Sequence, residues 1–287
     1  MNDSQKKEIQ ILLKKHIEQY PSQKKAVDAL RNVSEATVIN IRTGKWESIS
    51  DDMWRLIGKQ VGFSAKGKWL FIQTANSKTI MKYFEDAAEY SNVFAITAEA
   101  GSSKSATAAY YEGKHSNVYH IECAEYFNRK VFLGKIMQRM GMDNMGYTVP
   151  EMMEEIVDAL MKKETPLIIL DEVDKLPDPV LYFFITFYNT LQGHCGIVLL
   201  ATDYLAKRIV RGRRLGKKGY NEIYSRLGRR FISLKGIVQA EVEEICRQNG
   251  CDDPLTIASI YNECEGDLRR VERMVHKYKV KQAKKAA

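Results

Sequence analysis

The run Leu167-Ile168-Ile169-Leu170 lies between Pro166 and two adjacent carboxylates, Asp171 and Glu172. Consecutive Leu and Ile bounded by a proline predict a strand buried on both faces, as in a parallel sheet. The acid pair then falls at the strand's carboxyl end, where α/β sheets hold their ligands. Nucleotide hydrolysis needs such a pair. Asp171 would ligate Mg²⁺, and Glu172 would polarise a water. A core strand ending in solvated acids is the plain alternative, and a phosphate-binding loop upstream decides between them.

Such a loop follows a second apolar run, Val93-Phe94-Ala95-Ile96-Thr97. The next residues, Ala98-Glu99-Ala100-Gly101-Ser102-Ser103-Lys104-Ser105, depart from G-x-x-x-x-G-K-[ST] at two positions. Ala98 replaces the first glycine and Ser103 the second. The backbone from Ala98 through Ala100, Gly101, Ser102 and Ser103 must offer N–H groups to phosphate oxygens, and small residues keep that approach open. Lys104 would reach the β/γ-phosphates, and the Ser105 hydroxyl would join Asp171 on Mg²⁺. A helix from Ala106 would point its N-terminus at the phosphates. ATP and Mg²⁺ are the cofactors this pairing calls for.

Three later positions extend the set. Thr202 ends the run Ile197-Val198-Leu199-Leu200-Ala201 and could orient the attacking water, or cap the next helix. Arg226, in Ser225-Arg226-Leu227-Gly228-Arg229-Arg230, could stabilise charge on a neighbour's γ-phosphate, with Arg229 second in line. Arg269, in Gly266-Asp267-Leu268-Arg269, could reach over bound nucleotide and report its state.

Cations crowd the segment from Lys207 to Lys218, and a basic tail follows Lys277. With a net charge of +8, these clusters suit a polyanion, nucleic acid first, or else a solvated surface. No apolar run approaches 18 residues, so no membrane partner is expected. The polar start lacks a signal-peptide core, and a cytoplasmic location is expected. Five cysteines without a C-x-x-C pair argue against structural zinc.

The elements that must position these residues alternate. Strands are predicted at 92–97, 117–122, 166–171, 195–201 and 230–234. Helices are predicted at 104–113, 129–141, 149–163 and 178–191, and residues 237–281 read as helices alone. This is an α/β chain: a parallel sheet flanked by helices with a C-terminal helical lid, plus a small all-α N-terminal domain. In that first domain Gln23–Arg31 and the segment after Ser34 form a helix-turn-helix pair. Thr37, Asn40 and Arg42, on the second helix, would face a DNA groove. A protein-binding adaptor is the other use of such a unit. The expected boundaries are 1–63 for the helix-turn-helix domain, 64–77 for a linker, 78–236 for the core, and 237–287 for lid and tail.

The order of phosphate loop, Asp-Glu strand, polar strand end, Ser-Arg box and Gly-Asp-x-Arg helix resembles that of AAA+ ATPases, from about residue 78 to 280. The A-x-A-G-x-x-K-S loop, the D-E-x-D-x-L strand and the helix-turn-helix start resemble the Mu B and Tn7-type target-selection ATPases of DNA transposition. That resemblance implies an ATP-dependent homo-oligomer or filament on double-stranded DNA that recruits a transposase, in a bacterial or phage mobile element. It places Asn128, Arg129 and Lys130 along the DNA channel. Its phosphate contacts would read no sequence. The departures at Ala98 and Ser103 imply slow turnover. A helicase loader or initiator shares the Ser-Arg box and is the alternative.

Overall fold

The structure is a computed structural model that describes residues 1–63 and 69–286. The chain divides into two compact units: Met1–Lys68 with Met137–Gly146, and Trp69–Ile136 with Tyr147–Ala287. No described helix is long and apolar enough to cross a membrane.

In the first unit, α1 (Asp3–Glu18), α2 (Gln23–Asp28), α3 (Glu35–Thr43) and α4 (Asp51–Gln60) enclose Ile9, Leu13, Val38, Ile41, Trp54 and Ile57. Ser22, Ser34 and Ser50 each accept a backbone N–H three residues on, which satisfies one of the orphan donors at a helix start. Gly44, at φ +80°, closes α3 in the left-handed region.

The second unit opens with α5 (Ala75–Tyr90) and β1 (Val93–Thr97), then α6 (Lys104–Glu112) and β2 (Val118–Glu122). Helices α7 (Arg129–Arg139) and α8 (Val149–Met161) lead to β3 (Leu167–Asp171), a 3-10 turn at Val173–Lys175, α9 (Asp178–Leu181) and α10 (Phe183–Leu191). There follow β4 (Gly196–Ala201), α11 (Asp203–Arg214), α12 (Tyr220–Arg226) and β5 (Ile232–Ser233), and finally the lid helices α13 (Gln239–Gln248), α14 (Pro254–Cys264) and α15 (Leu268–Ala286). The strands form one parallel sheet in the order β2-β3-β4-β1-β5. Every residue of β3 and β4 is buried, as the unbroken apolar runs require. Ile80, Phe84 and Ala87 of α5 pack with Ile96, Ile169, Val198 and Leu200 of the sheet. Each of the larger of these side chains, Ile, Leu, Val and Phe, contributes about 1.5–3 kcal/mol by leaving water. Gly196 is what lets α5 approach β4: a Cβ there would lie 2.2 Å from the Ala87 carbonyl oxygen.

Several expected boundaries move. Of the anticipated linker, 64–68 lie outside the described residues, and 75–77 are already helix. Thr74 caps α5 by accepting the Ser77 N–H, and a polar first turn hid this start. Trp69 and Ile72 pack on the lid core, and the buried Asn249 side chain bonds both the N–H and the carbonyl of Leu70. The anticipated helix 178–191 is two helices meeting at Tyr182. The last strand is only Ile232–Ser233, the part in register with Ile96 and Thr97.

Candidate nucleotide site

The phosphate-type loop joins β1 to α6 at the carboxyl edge of the sheet. Its first residue is pinned by a 3.2 Å bond from the Ala98 N–H to the carbonyl of Ala201 at the end of β4. Lys104 is buried, and its ammonium donates to the carbonyls of Ala98 (2.7 Å) and Glu99 (2.9 Å) and to Ser102 Oγ (3.1 Å). Burial pushes the Lys104 ammonium down from the usual lysine range, and Arg269 adds to this. The carboxylates of Asp171, Asp174 and Asp203 push it back up.

Asp171 is fully buried at the end of β3. Burial alone would raise its pKa. Hydrogen bonds from His120, Ser105 and the Glu172 N–H outweigh that and hold the carboxyl below its usual range. His120 Nε2 lies 3.4 Å from Asp171 Oδ2. Ser105, the second residue of α6, and Asp171, the last residue of β3, are the two residues expected to hold Mg²⁺. A hydroxyl and a carboxylate are the hard oxygen donors that a small divalent cation takes while keeping most of its waters.

Glu172 takes the left-handed conformation (φ 54°, ψ 37°), a strained geometry that costs of order 1–3 kcal/mol and clusters at functional sites. Its carboxylate pairs with Lys175, and that bond chiefly raises the Lys175 pKa. Thr202 caps α11 by accepting the Tyr204 N–H at 3.4 Å, and its hydroxyl lies 2.6 Å from Asp174 Oδ2. Thr202 thus has the capping role and also anchors a third carboxylate. Arg208 spans the turn after Glu172. It donates to the carbonyls of Asp174 (3.2 Å) and Leu176 (2.8 Å), pairs with Asp178, and meets Tyr220 Oη at 3.1 Å. Arg208 therefore leaves the basic cluster in which its sequence position put it: the polar turn carbonyls and Asp178 draw it inward.

Arg269 opens α15, where its N–H donates to Asp267 Oδ1 at 2.8 Å. The start of this helix docks on the loop, because the Leu268 N–H bonds the Gly101 carbonyl at 3.1 Å. Gly101 sits at φ +79°, and a Cβ there would lie 2.0 Å from Asp267 Oδ1. The retained glycine thus serves lid docking as well as loop conformation. Arg226 is held against α10: its Nε and Nη2 donate to Asn189 Oδ1 (3.0 and 2.8 Å), and it pairs with Glu222 at 3.4 Å. Among the described residues, none of its hydrogen-bond or ion-pair partners belongs to the loop or to β3. Arg229 is exposed and left-handed at φ 58°.

Ser103 carries the local strain of the altered loop. It stands at φ 65°, where the second glycine of the usual pattern would rest freely, and its Oγ is buried with no hydrogen-bond partner. Ser103→Gly is therefore expected to stabilise the protein by about 1 kcal/mol, less the entropy glycine adds to the unfolded chain. Urea unfolding checks it; an unchanged or lowered midpoint contradicts the strain argument.

The remaining candidates lie elsewhere. Asn128 caps α7 by accepting the Val131 N–H at 2.9 Å, while Arg129 and Lys130 are exposed. In the first unit, the Thr37 hydroxyl meets Ser34 Oγ at 2.8 Å, Asn40 is half-buried, and Arg42 bonds Gln23 on α2. Asp174, Lys175 and His120 at the site, and Asn189 beside Arg226, lie outside the residues that the sequence singles out. Only Asp174 carried a signal, three residues after Asp171 on the same segment.

Residues 85–209 match the family model described as AAA domain. No curated protein matches the chain. Among solved structures, NtrX from Brucella abortus in complex with ATP is 12% identical at a TM-score of 0.49, over 83% of this chain and 58% of NtrX. A second NtrX structure gives 12% identity and a TM-score of 0.47 over 80% and 58%. Drosophila ORC bound to DNA gives 12% and 0.48 over 88% of this chain and 69% of that one. The chain thus spans less than two thirds of NtrX.

Proposed function

We propose that this protein is an ATP-dependent ATPase that binds double-stranded DNA without sequence preference, assembles on it as an oligomer or filament, and marks target DNA for a transposase. The buried Lys104 ammonium carries the nucleotide part: it is held by the Ala98 and Glu99 carbonyls and Ser102 Oγ at the start of α6, and the start of the lid helix α15 docks on the same loop through the Leu268 N–H and the Gly101 carbonyl. Lys104 would exchange its loop carbonyls for phosphate oxygens. Ser105 and Asp171 would hold Mg²⁺, which neutralises phosphate charge when bound. Glu172, released from Lys175, would take a proton from the attacking water, with Thr202 and Asp174 fixing the strand end beside it. Arg226 of a neighbouring subunit would complete the site, and Arg269 would couple nucleotide to lid.

The transposition assignment is supported by the loop, the Asp-Glu strand and the helix-turn-helix start, which together resemble the Mu B and Tn7-type group. Residues 1–63 would form the accessory DNA- or partner-binding domain ahead of the core. The test is duplex binding across a salt series, with and without ATP and Mg²⁺. Cooperative, salt-sensitive binding to arbitrary duplex only with ATP is expected; equal affinity without nucleotide would overturn the proposal. Capture of a replicative helicase instead of a transposase would move the protein to the loader or initiator class.

A further inference from the structure

The segment from Tyr204 to Asn221 contains no Asp or Glu, yet holds Lys207, Arg208, Arg211, Arg213, Arg214, Lys217 and Lys218. The fold sorts these cations into two groups. Arg208 faces inward on the turn carbonyls, and Arg213 lies 3.8 Å over the Tyr224 ring and bonds Asn221. Both are structural. Lys207, Arg211, Arg214, Lys217 and Lys218 are exposed and carry no ion pair with any described residue. Leu205, Ile209 and Gly212 form the buried side of α11. Lys207, Arg211 and Arg214 stand at i, i+4 and i+7, so they share the opposite face over about two turns. Lys217 and Lys218 continue the charge into the following turn.

Resting on the DNA-binding reading above, we infer that the outer face of α11 is a contact surface for the phosphodiester backbone of nucleic acid. It is distinct from the start of α7, where Asn128 is already committed to a helix cap. Sign and spacing carry the choice of partner. Protein interfaces deplete lysine and interleave opposite charges, whereas this face is uniformly cationic over a length that matches successive phosphates. Guanidinium and ammonium groups without internal partners gain most from phosphate oxygens, by charge-assisted hydrogen bonds and by releasing condensed counterions.

The test is a triple variant of the full chain, Lys207→Gln with Arg211→Gln and Arg214→Gln. A control triple, Lys277→Gln with Lys281→Gln and Lys284→Gln, removes the same charge from α15. Duplex and single-stranded DNA affinities are measured across a salt series with ATP and Mg²⁺, after nucleotide binding is shown to be unchanged. Each lost duplex contact lowers the slope of log K against log salt by about 0.9, so the α11 triple should lose between 2 and 3 in slope and roughly 100-fold in affinity at about 0.1 M salt. A single-strand slope that falls by about 0.7 per contact would assign the face to single strands and still support it. A wild-type slope in the α11 triple, or an equal fall in the control, overturns it. So does an unchanged DNA slope with lost binding to poly-glutamate, which would give the face to an acidic protein. If the wild-type chain binds no DNA at all, the fault lies with the broader functional reading instead.

Discussion

Replacing Lys104 with alanine should weaken ATP binding by roughly 30- to 150-fold. The ammonium is buried at 9% exposure and already organised by three oxygen partners, so it meets a phosphate with little reordering. A hydrogen bond to a charged group is worth about 1.5–3 kcal/mol, and more than one phosphate oxygen is in reach of a lysine at this position. The effect should exceed that of losing a surface cation, which salt screens. The Ala98 and Glu99 carbonyls lose their donor in the variant, so a small drop in stability should accompany the loss. Lys104→Met separates the two effects, since it keeps the stem and removes the charge. Titration of a fluorescent ATP analogue checks the affinity; near wild-type binding in both variants would refute the loop assignment.

Glu172→Gln should leave ATP binding close to wild type and slow hydrolysis by about 100- to 10,000-fold, the range that general-base removal costs. Geometry sets this residue apart from its neighbours. Asp171 is fully buried, beside His120 Nε2 and accepting the Glu172 N–H. Glu172 is partly exposed, held in a left-handed turn, and restrained through Lys175, a partner that can be given up. The glutamine keeps the size and loses the basicity. Single-turnover phosphate release with DNA present measures the effect. A rate within a few-fold of wild type would move the base to another residue, Asp174 first.

The strands, and the placement of the loop and the acid pair at strand ends, are legible in the sequence because they depend on local pattern. Four apolar residues before two acids can hardly be other than a buried strand and its exit, and β3 is buried throughout. The lysine and serine of the altered loop were legible by spacing from that context. Features that depend on distant pairing were not. Nothing local to Arg208 says that it will turn inward on Asp178 and Tyr220, nor does anything near Leu70 point to Asn249 in α13. The role of Gly101 in docking Asp267 required the lid to be in place. Strand boundaries missed at β5 because register with β1, not composition, ends that strand. Arg226 stands out in the sequence only by its order along the chain, and its cradle of Asn189 and Glu222 forms where α10 and α12 meet.

The proposed role of Arg226 toward a neighbouring subunit has a direct test. Alone, Glu172→Gln should fail for want of a base, and Arg226→Ala should fail by about 1,000-fold or more for want of a charge on the γ-phosphate. Mixing the two inactive variants on DNA tests whether Arg226 serves a neighbour. An Arg226→Ala subunit keeps its own Glu172 and can receive the arginine of a Glu172→Gln subunit. Random assembly then creates a complete site at roughly a quarter of interfaces. The account predicts that ATP hydrolysis in an equal mixture rises far above the sum of the separate variants, toward that fraction of wild type. A mixture no more active than that sum would contradict it.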